Sequence, residues 1–127
     1  MDLAAEQRLA EFVAAVPVTG AHDLSDGGLA QALVEACLVG GRGARVGLPA
    51  TLDPFVALFA ESAARMLVTV APDDLGPVLV QAAEAGVPAA VMGTTGGAAL
   101  EIETLAPLTL DELHTAWTAT LPSLFGP

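Results

Sequence analysis

Glycine and proline cut this chain into pieces too short for a long-helix or membrane-spanning architecture. Pro17, Gly27-Gly28, Gly40-Gly41, Pro49, Pro72 and Gly86 fall between apolar stretches of ordinary helix or strand length. No apolar run approaches the ~18 residues that a membrane helix needs. What these breaks permit is an alternation of short helices and short strands, packed in layers around one core.

The alternation can be read element by element. Residues 3–16 place Leu3, Leu9, Phe12, Val13 and Val16 near one helical face, with Asp2 as cap and Pro17 as stop. Residues 18–24 read as a short strand. Residues 28–39 read as a helix with Leu29, Leu33, Ala36 and Cys37 on one side, ended by Gly40-Gly41. Residues 44–48 form a strand closed by Pro49, and 50–64 are irregular, with a helical turn at 54–59. MLVTV, residues 66–70, is a strand, and Pro72-Asp73-Asp74 opens a helix that Gly86 stops. Residues 89–93 and 100–104 are expected strands around a hairpin turn at 94–97. Thr109 and Glu112 have the spacing of a capping box, in which a hydroxyl and a carboxylate satisfy each other's free backbone donors. Leu110, Leu113, Trp117 and Leu121 share a face of the helix that follows.

The order strand–helix–strand–strand–helix–strand is that of a split βαβ sheet. The expected fold is therefore α/β (α+β): a mixed sheet flanked by helices, partly ferredoxin-like, with extra N- and C-terminal helices. One domain, residues 1–127, holds all of it. A right-handed crossover would make strands 18–24 and 44–48 parallel members of one sheet. The polar segments 23–28 and 59–65 would then face each other across one rim.

Charge narrows the function. The net charge is −11, and the cations are Arg8, Arg42, Arg45 and Arg65. Such a surface repels phosphate backbones, which argues against a nucleic-acid partner. A small phosphorylated ligand needs only a few donors and a bridging Mg²⁺. The N-terminus has no basic-then-apolar signal pattern, so a cytoplasmic location is expected. Cys37 is the single cysteine and reads as a small buried hydrophobe. With 54% hydrophobic residues, some apolar surface should meet a partner chain or a neighbouring domain.

AHDLSDGGLA, residues 21–30, concentrates most of the local chemistry. Ser25-Asp26-Gly27-Gly28 sits where a strand turns into a helix, so backbone N–H groups are offered to an anion. Asp23 and Asp26 could hold Mg²⁺ on a phosphate through hard carboxylate oxygens. The same residues also fit an ordinary helix start, with Ser25 or Asp26 as N-cap and the glycines serving only the turn. In Phe59-Ala60-Glu61-Ser62-Ala63-Ala64-Arg65, Glu61 could reach a metal or a ligand hydroxyl, and Arg65 a phosphate. A plain Glu61–Arg65 ion pair fits equally. Gly40-Gly41-Arg42-Gly43-Ala44-Arg45 follows a helix and lacks the Lys-Ser/Thr of a nucleotide loop, so it reads as a helix stop. His22 at a strand end reads as a structural hydrogen-bonding group, and His114 as a solvent-facing helix residue.

His22 to Leu29, together with Phe59 to Arg65, resembles a pair of motifs. They belong to the C-terminal domain family shared by aminoimidazole ribonucleotide synthetase and phosphoribosylformylglycinamidine synthase. Members carry histidine–aspartate–x–serine–aspartate–glycine–glycine–leucine, then phenylalanine–x–glutamate–serine with an arginine three residues after the serine. GVPAAVMGTTGG and LTLDELHTAWTATLPSLFG resemble the closing strand and terminal helix, so the likeness covers nearly the whole chain. The last domain of the large, amidine-forming subunit is the closer match.

The resemblance implies a reaction of purine biosynthesis. ATP activates the formyl amide oxygen of formylglycinamide ribonucleotide. Ammonia from a separate glutaminase subunit then displaces phosphate to give the amidine. It also implies ATP/ADP and Mg²⁺ in the complete enzyme, a C–N ligase, with the catalytic groups in domains that precede this one. Carried over residue by residue are Asp23, Ser25, Asp26, Gly27, Gly28, Glu61, Ser62 and Arg65 as a nucleotide- or phosphate-binding rim, with Asp26 and Glu61 toward metal. Ala63 stands where the substrate-binding copy has glutamine, which suggests the second, auxiliary copy of the domain. The expected partners are the remaining synthase domains and the glutaminase. Two alternatives stay open: a stand-alone module that dimerises through its apolar surface, and a domain of a related small-molecule kinase.

Overall fold

The computed structural model describes residues 2–24, 27–59, 64–103 and 105–116. The first helix, α1 (Leu3–Ala15), starts as expected: the Asp2 carboxylate accepts the Ala5 N–H at 3.0 Å. Phe12 and Val16 are buried. Leu3, expected on the same face, is exposed, because the cluster that α1 packs into begins only at Phe12. α2 (Gly28–Gly40) ends on Gly41 in the left-handed conformation (φ 66°). There the Gly41 and Arg42 N–H groups both turn back to the Cys37 carbonyl. The short α3 (Pro54–Phe59) is the helical turn read in the sequence. α4 (Pro72–Glu84) carries Asp73 and Asp74 in its first turn, where the free N–H groups favour negative charge. Pro77, inside α4, has no N–H to give the preceding turn. The capping box is formed as written: Thr109 N–H donates to Glu112 Oε2 at 2.9 Å, and Glu112 N–H donates to Thr109 Oγ1 at 3.1 Å. The helix it starts occupies residues 110–116; Trp117 and Leu121 lie outside the described residues.

The strands form two sheets among the described residues. β1 (Gly20–Asp23) pairs antiparallel with β3 (Met66–Thr69). A Thr19 to Thr69 hydroxyl bond of 2.8 Å extends that ladder. The second sheet has the order β4-β2-β5-β6. Its centre, β2 (Ala44–Val46), runs parallel to β5 (Ala99–Ile102) and antiparallel to β4 (Gly93–Thr95). β6 (Leu108–Thr109) closes the β5 side.

Two expectations are corrected here. Strands β1 and β2 do not share a sheet, because each finds a closer partner. Gly43 and Gly93 let other backbones approach β2 from both sides, where a Cβ would strike Ala99 or Arg45. Likewise residues 89–92 are not a strand and 94–97 is not a hairpin turn. The strand is Gly93–Thr95, and the chain then steps over the end of β2 to pair on its other side. The Gly43 N–H donates to the Gly97 carbonyl at 2.9 Å, and the Gly96 N–H donates to the Gly43 carbonyl at 2.8 Å.

Two apolar clusters hold these elements. The larger joins α2 to both sheets through Leu24, Leu29, Leu33, Cys37, Leu100 and Ile102. The smaller joins α1 to α4 through Phe12, Val16, Val78 and Ala82. No polar or charged side chain is buried among the described residues.

Cys37 behaves as a core hydrophobe, and burial pushes its thiol up from the ordinary value of 9.0. A raised acid stabilises the fold below its unfolded value, and that contribution is lost as pH rises through the folded one. We expect the native thiol to react with a thiol reagent at least ~100-fold more slowly than the urea-unfolded chain, with stability declining on the alkaline side. Equal labelling rates in the two states would contradict this placement.

Candidate functional site

Asp23 ends β1, Met66 begins β3, and the two are partners in the antiparallel ladder. One residue further, the Leu24 N–H donates to the Arg65 carbonyl at 3.3 Å. The chain therefore leaves β1 toward the SDGG segment at the edge where it enters β3 from the FAESAAR segment. The described flanks of both polar segments meet at one rim. The cause differs from the one expected: it is the antiparallel β1–β3 pair, not a parallel β1–β2 pair.

Three residues flanking this rim have left-handed backbone. Gly27 (φ 76°) is the N-cap of α2 and Gly28 (φ 64°) its first residue. Gly27 thus holds the cap position foreseen for Ser25 or Asp26. Across the rim, Ala64 is also left-handed, with φ 57°. A residue with a Cβ pays ~1–2 kcal/mol for that conformation. Nothing in the sequence marks Ala64 for it, and sequence reasoning missed it. It redirects the chain so that the Arg65 carbonyl meets Leu24.

Of the rim candidates, Asp23, Gly27, Gly28 and Arg65 are described, and Ser25, Asp26, Glu61 and Ser62 lie outside the described residues. Asp23 and Arg65 are exposed at neighbouring strand ends. α2 begins beside them on Gly27, which has no side chain to cap it, and a helix start favours negative charge. A carboxylate, a guanidinium and a helix start at one solvent edge can grip a small charged molecule. Asp26 and Glu61, the residues assigned to metal, fall outside this description. Among the described residues no three His, Cys, Asp or Glu side chains converge on a metal position.

The other candidates separate from the rim. Gly40-Gly41 is a helix stop, as read. Arg45 is exposed and pairs with Glu101 at 2.8 Å across the β2–β5 register, which further stabilises its charged form. With Thr94 and Gly96 the pair borders a shallow, open depression on the second sheet. His22 lies half-buried in β1 opposite Leu67, and His114 is exposed.

The model of the family described as "AIR synthase related protein, C-terminal domain" matches residues 2–104. The chain belongs to this family. As an AIR synthase related C-terminal domain, it is 51% identical over 129 aligned residues to the phosphoribosylformylglycinamidine synthase subunit PurL of Nocardioides sp.. It is 46% identical to that of Frankia casuarinae. Each alignment covers 99% of this chain but only 17% of the relative's length. The fold agrees with that of solved Thermotoga maritima proteins. PurLQS matches with TM-score 0.77 and 24% identity, over 89% of this chain and 22% of that one. PurL complexed with ATP matches with TM-score 0.73 and 23% identity, over 84% and 21%. The α+β class and mixed pairing expected from sequence are those of this domain. No described helix is long and apolar enough to cross a membrane.

Proposed function

We propose that this AIR synthase related C-terminal domain serves in a PurL-type phosphoribosylformylglycinamidine synthase, as its auxiliary copy, lining a nucleotide or phosphate site. The observation that carries the reading is identity of about half the residues across 99% of the chain to PurL. In this reading the complete enzyme uses ATP to convert formylglycinamide ribonucleotide to its amidine, with ammonia from a glutaminase subunit. Asp23, Ser25, Asp26, Gly27, Gly28, Glu61, Ser62 and Arg65 line the rim. The glycines permit the turn into α2, whose start favours phosphate, Arg65 carries a countercharge, and Asp26 and Glu61 are hard-oxygen ligands for Mg²⁺. The solved Thermotoga maritima PurL complexes with ATP and with ADP support a nucleotide ligand.

The chain alone should not form ADP or the amidine. Substituted for the matching segment of the Nocardioides PurL, it should sustain the reaction. Activity of the isolated chain, or an inactive substituted enzyme that is folded, contradicts the proposal. In the substituted enzyme, Asp26→Ala and Arg65→Ala should each weaken nucleotide binding ~10-fold or more, the scale of a lost charged hydrogen bond. Unfolding midpoints should barely move, as for other surface changes. Unchanged affinity in both variants removes the site from this rim. A dimerising module is the second reading, favoured by the exposed Phe55, Phe59 and Leu52. Sedimentation of the isolated chain as a stable dimer would support it.

A further inference from the structure

We infer that Ala64 is a positioning residue of the rim: its left-handed backbone is a poised bend that sets Arg65 beside the end of β1, and a bound nucleotide selects the bent state. This extends the rim reading proposed above and rests on it. The chain has four cations, and the other three lie on other elements: Arg8 in α1, Arg42 just past the Gly41 stop, and Arg45 paired with Glu101. Holding a phosphate at this edge therefore depends on where the backbone puts Arg65. The residue before it decides that. Ala64 turns at φ 57°, and the Arg65 carbonyl then accepts the Leu24 N–H just before Met66 pairs with Asp23.

The bend is close to balance. A left-handed residue with a Cβ is disfavoured against the ordinary helical and extended regions. The bond that follows it, Leu24 N–H to the Arg65 carbonyl, spans 3.3 Å, at the long end for a backbone pair. The cost of one such alanine and the net worth of one such bond are of similar size. Bent and relaxed states therefore lie close in free energy. Gly27 and Gly28, on the other wall of the rim, take the same left-handed conformation without that cost. Strain is thus confined to the wall that carries the arginine. Backbone strain of this kind gathers at ligand clamps and switch regions. A ligand that grips Arg65 only in the bent state shifts the population toward it.

The test varies residue 64 and reads the bend and the ligand separately. In the chain itself, exchange of the Leu24 amide should slow about twofold in Ala64→Gly and Ala64→Asn, which accept the left-handed region. It should quicken about threefold in Ala64→Val, which does not. In the Nocardioides PurL carrying this chain in place of its matching segment, ATP affinity should follow the same order, about twofold tighter and about threefold weaker. ATP should also slow Leu24 exchange in that enzyme with Ala64 in place. Leu24 exchange that ignores the series shows a bend locked in one state and overturns the proposal. Exchange that follows the series while ATP affinity stays level, in an enzyme where Arg65→Ala weakens binding, makes Ala64 purely structural; it overturns the proposal and leaves the rim standing. Level affinity with Arg65→Ala also silent overturns both. If Ala64→Val does not fold, Ala64→Gly and Ala64→Asn decide alone, and no gain in ATP affinity from either overturns the positioning role.

Discussion

Gly43→Ala should prevent the four-stranded sheet from forming. A Cβ at Gly43 would overlap the Ala99 carbonyl, with the Ala99 C and N atoms at 2.6 Å. The obstacle is backbone, so no rotamer change relieves it. Ala99 is the first residue of β5, whose Leu100 and Ile102 both lie in the larger core. Moving β5 away from β2 would therefore open the ladder and the core together. We expect a loss of ~4 kcal/mol or more, in the rare tail of point substitutions. That is much of the ~5–15 kcal/mol available to a domain. Gly40→Ala is the control, since nothing lies within 4 Å of its Cβ position. It should gain a few tenths of a kcal/mol, up to ~1, through the unfolded chain. Urea unfolding of both variants decides the matter, and equal midpoints would show that β2 and β5 are not packed as closely as described.

Much of the local structure was legible because local rules were sufficient. The Asp2 cap, the Gly41 stop and the Thr109–Glu112 box each depend on a few neighbouring residues, and each formed as read. Pairing was less legible, because it is decided by distant backbones. Nothing near β1 says that residues 66–69 will lie beside it. The glycines that make β2 central look, in the sequence, like turn residues. The reading of 94–97 as a hairpin failed for that reason: Gly96 and Gly97 carry the chain over β2 instead of back along β4. At the rim the outcome was mixed. The meeting of two polar segments was foreseen through the wrong strand pair, and the left-handed Ala64 gave no sign of itself. The outward phenylalanines of α3 were also illegible, since a short apolar run ordinarily predicts burial.

Leu100→Ala tests whether the core supports the rim. Leu100 is 2% exposed and sits opposite Ala44 at the centre of the second sheet. Truncating it should cost ~2–5 kcal/mol, the lost burial plus the cavity that remains. The same cluster contains Leu24 and Leu29, which stand on either side of the SDGG segment. We expect a cavity in this shared cluster to let the start of α2 shift relative to the end of β1. Val78→Ala provides the contrast, because Val78 is buried in the separate α1–α4 cluster. It should cost less, ~1–3 kcal/mol, on the scale of one buried valine side chain. In the substituted synthase, at a temperature where both variants stay folded, Leu100→Ala should weaken nucleotide binding several-fold beyond Val78→Ala, because holding a ligand requires groups fixed in place before it arrives. Equal affinities would mean that the rim is held by the β1–β3 ladder and the Leu24–Arg65 bond alone, with the packing beneath it irrelevant to binding.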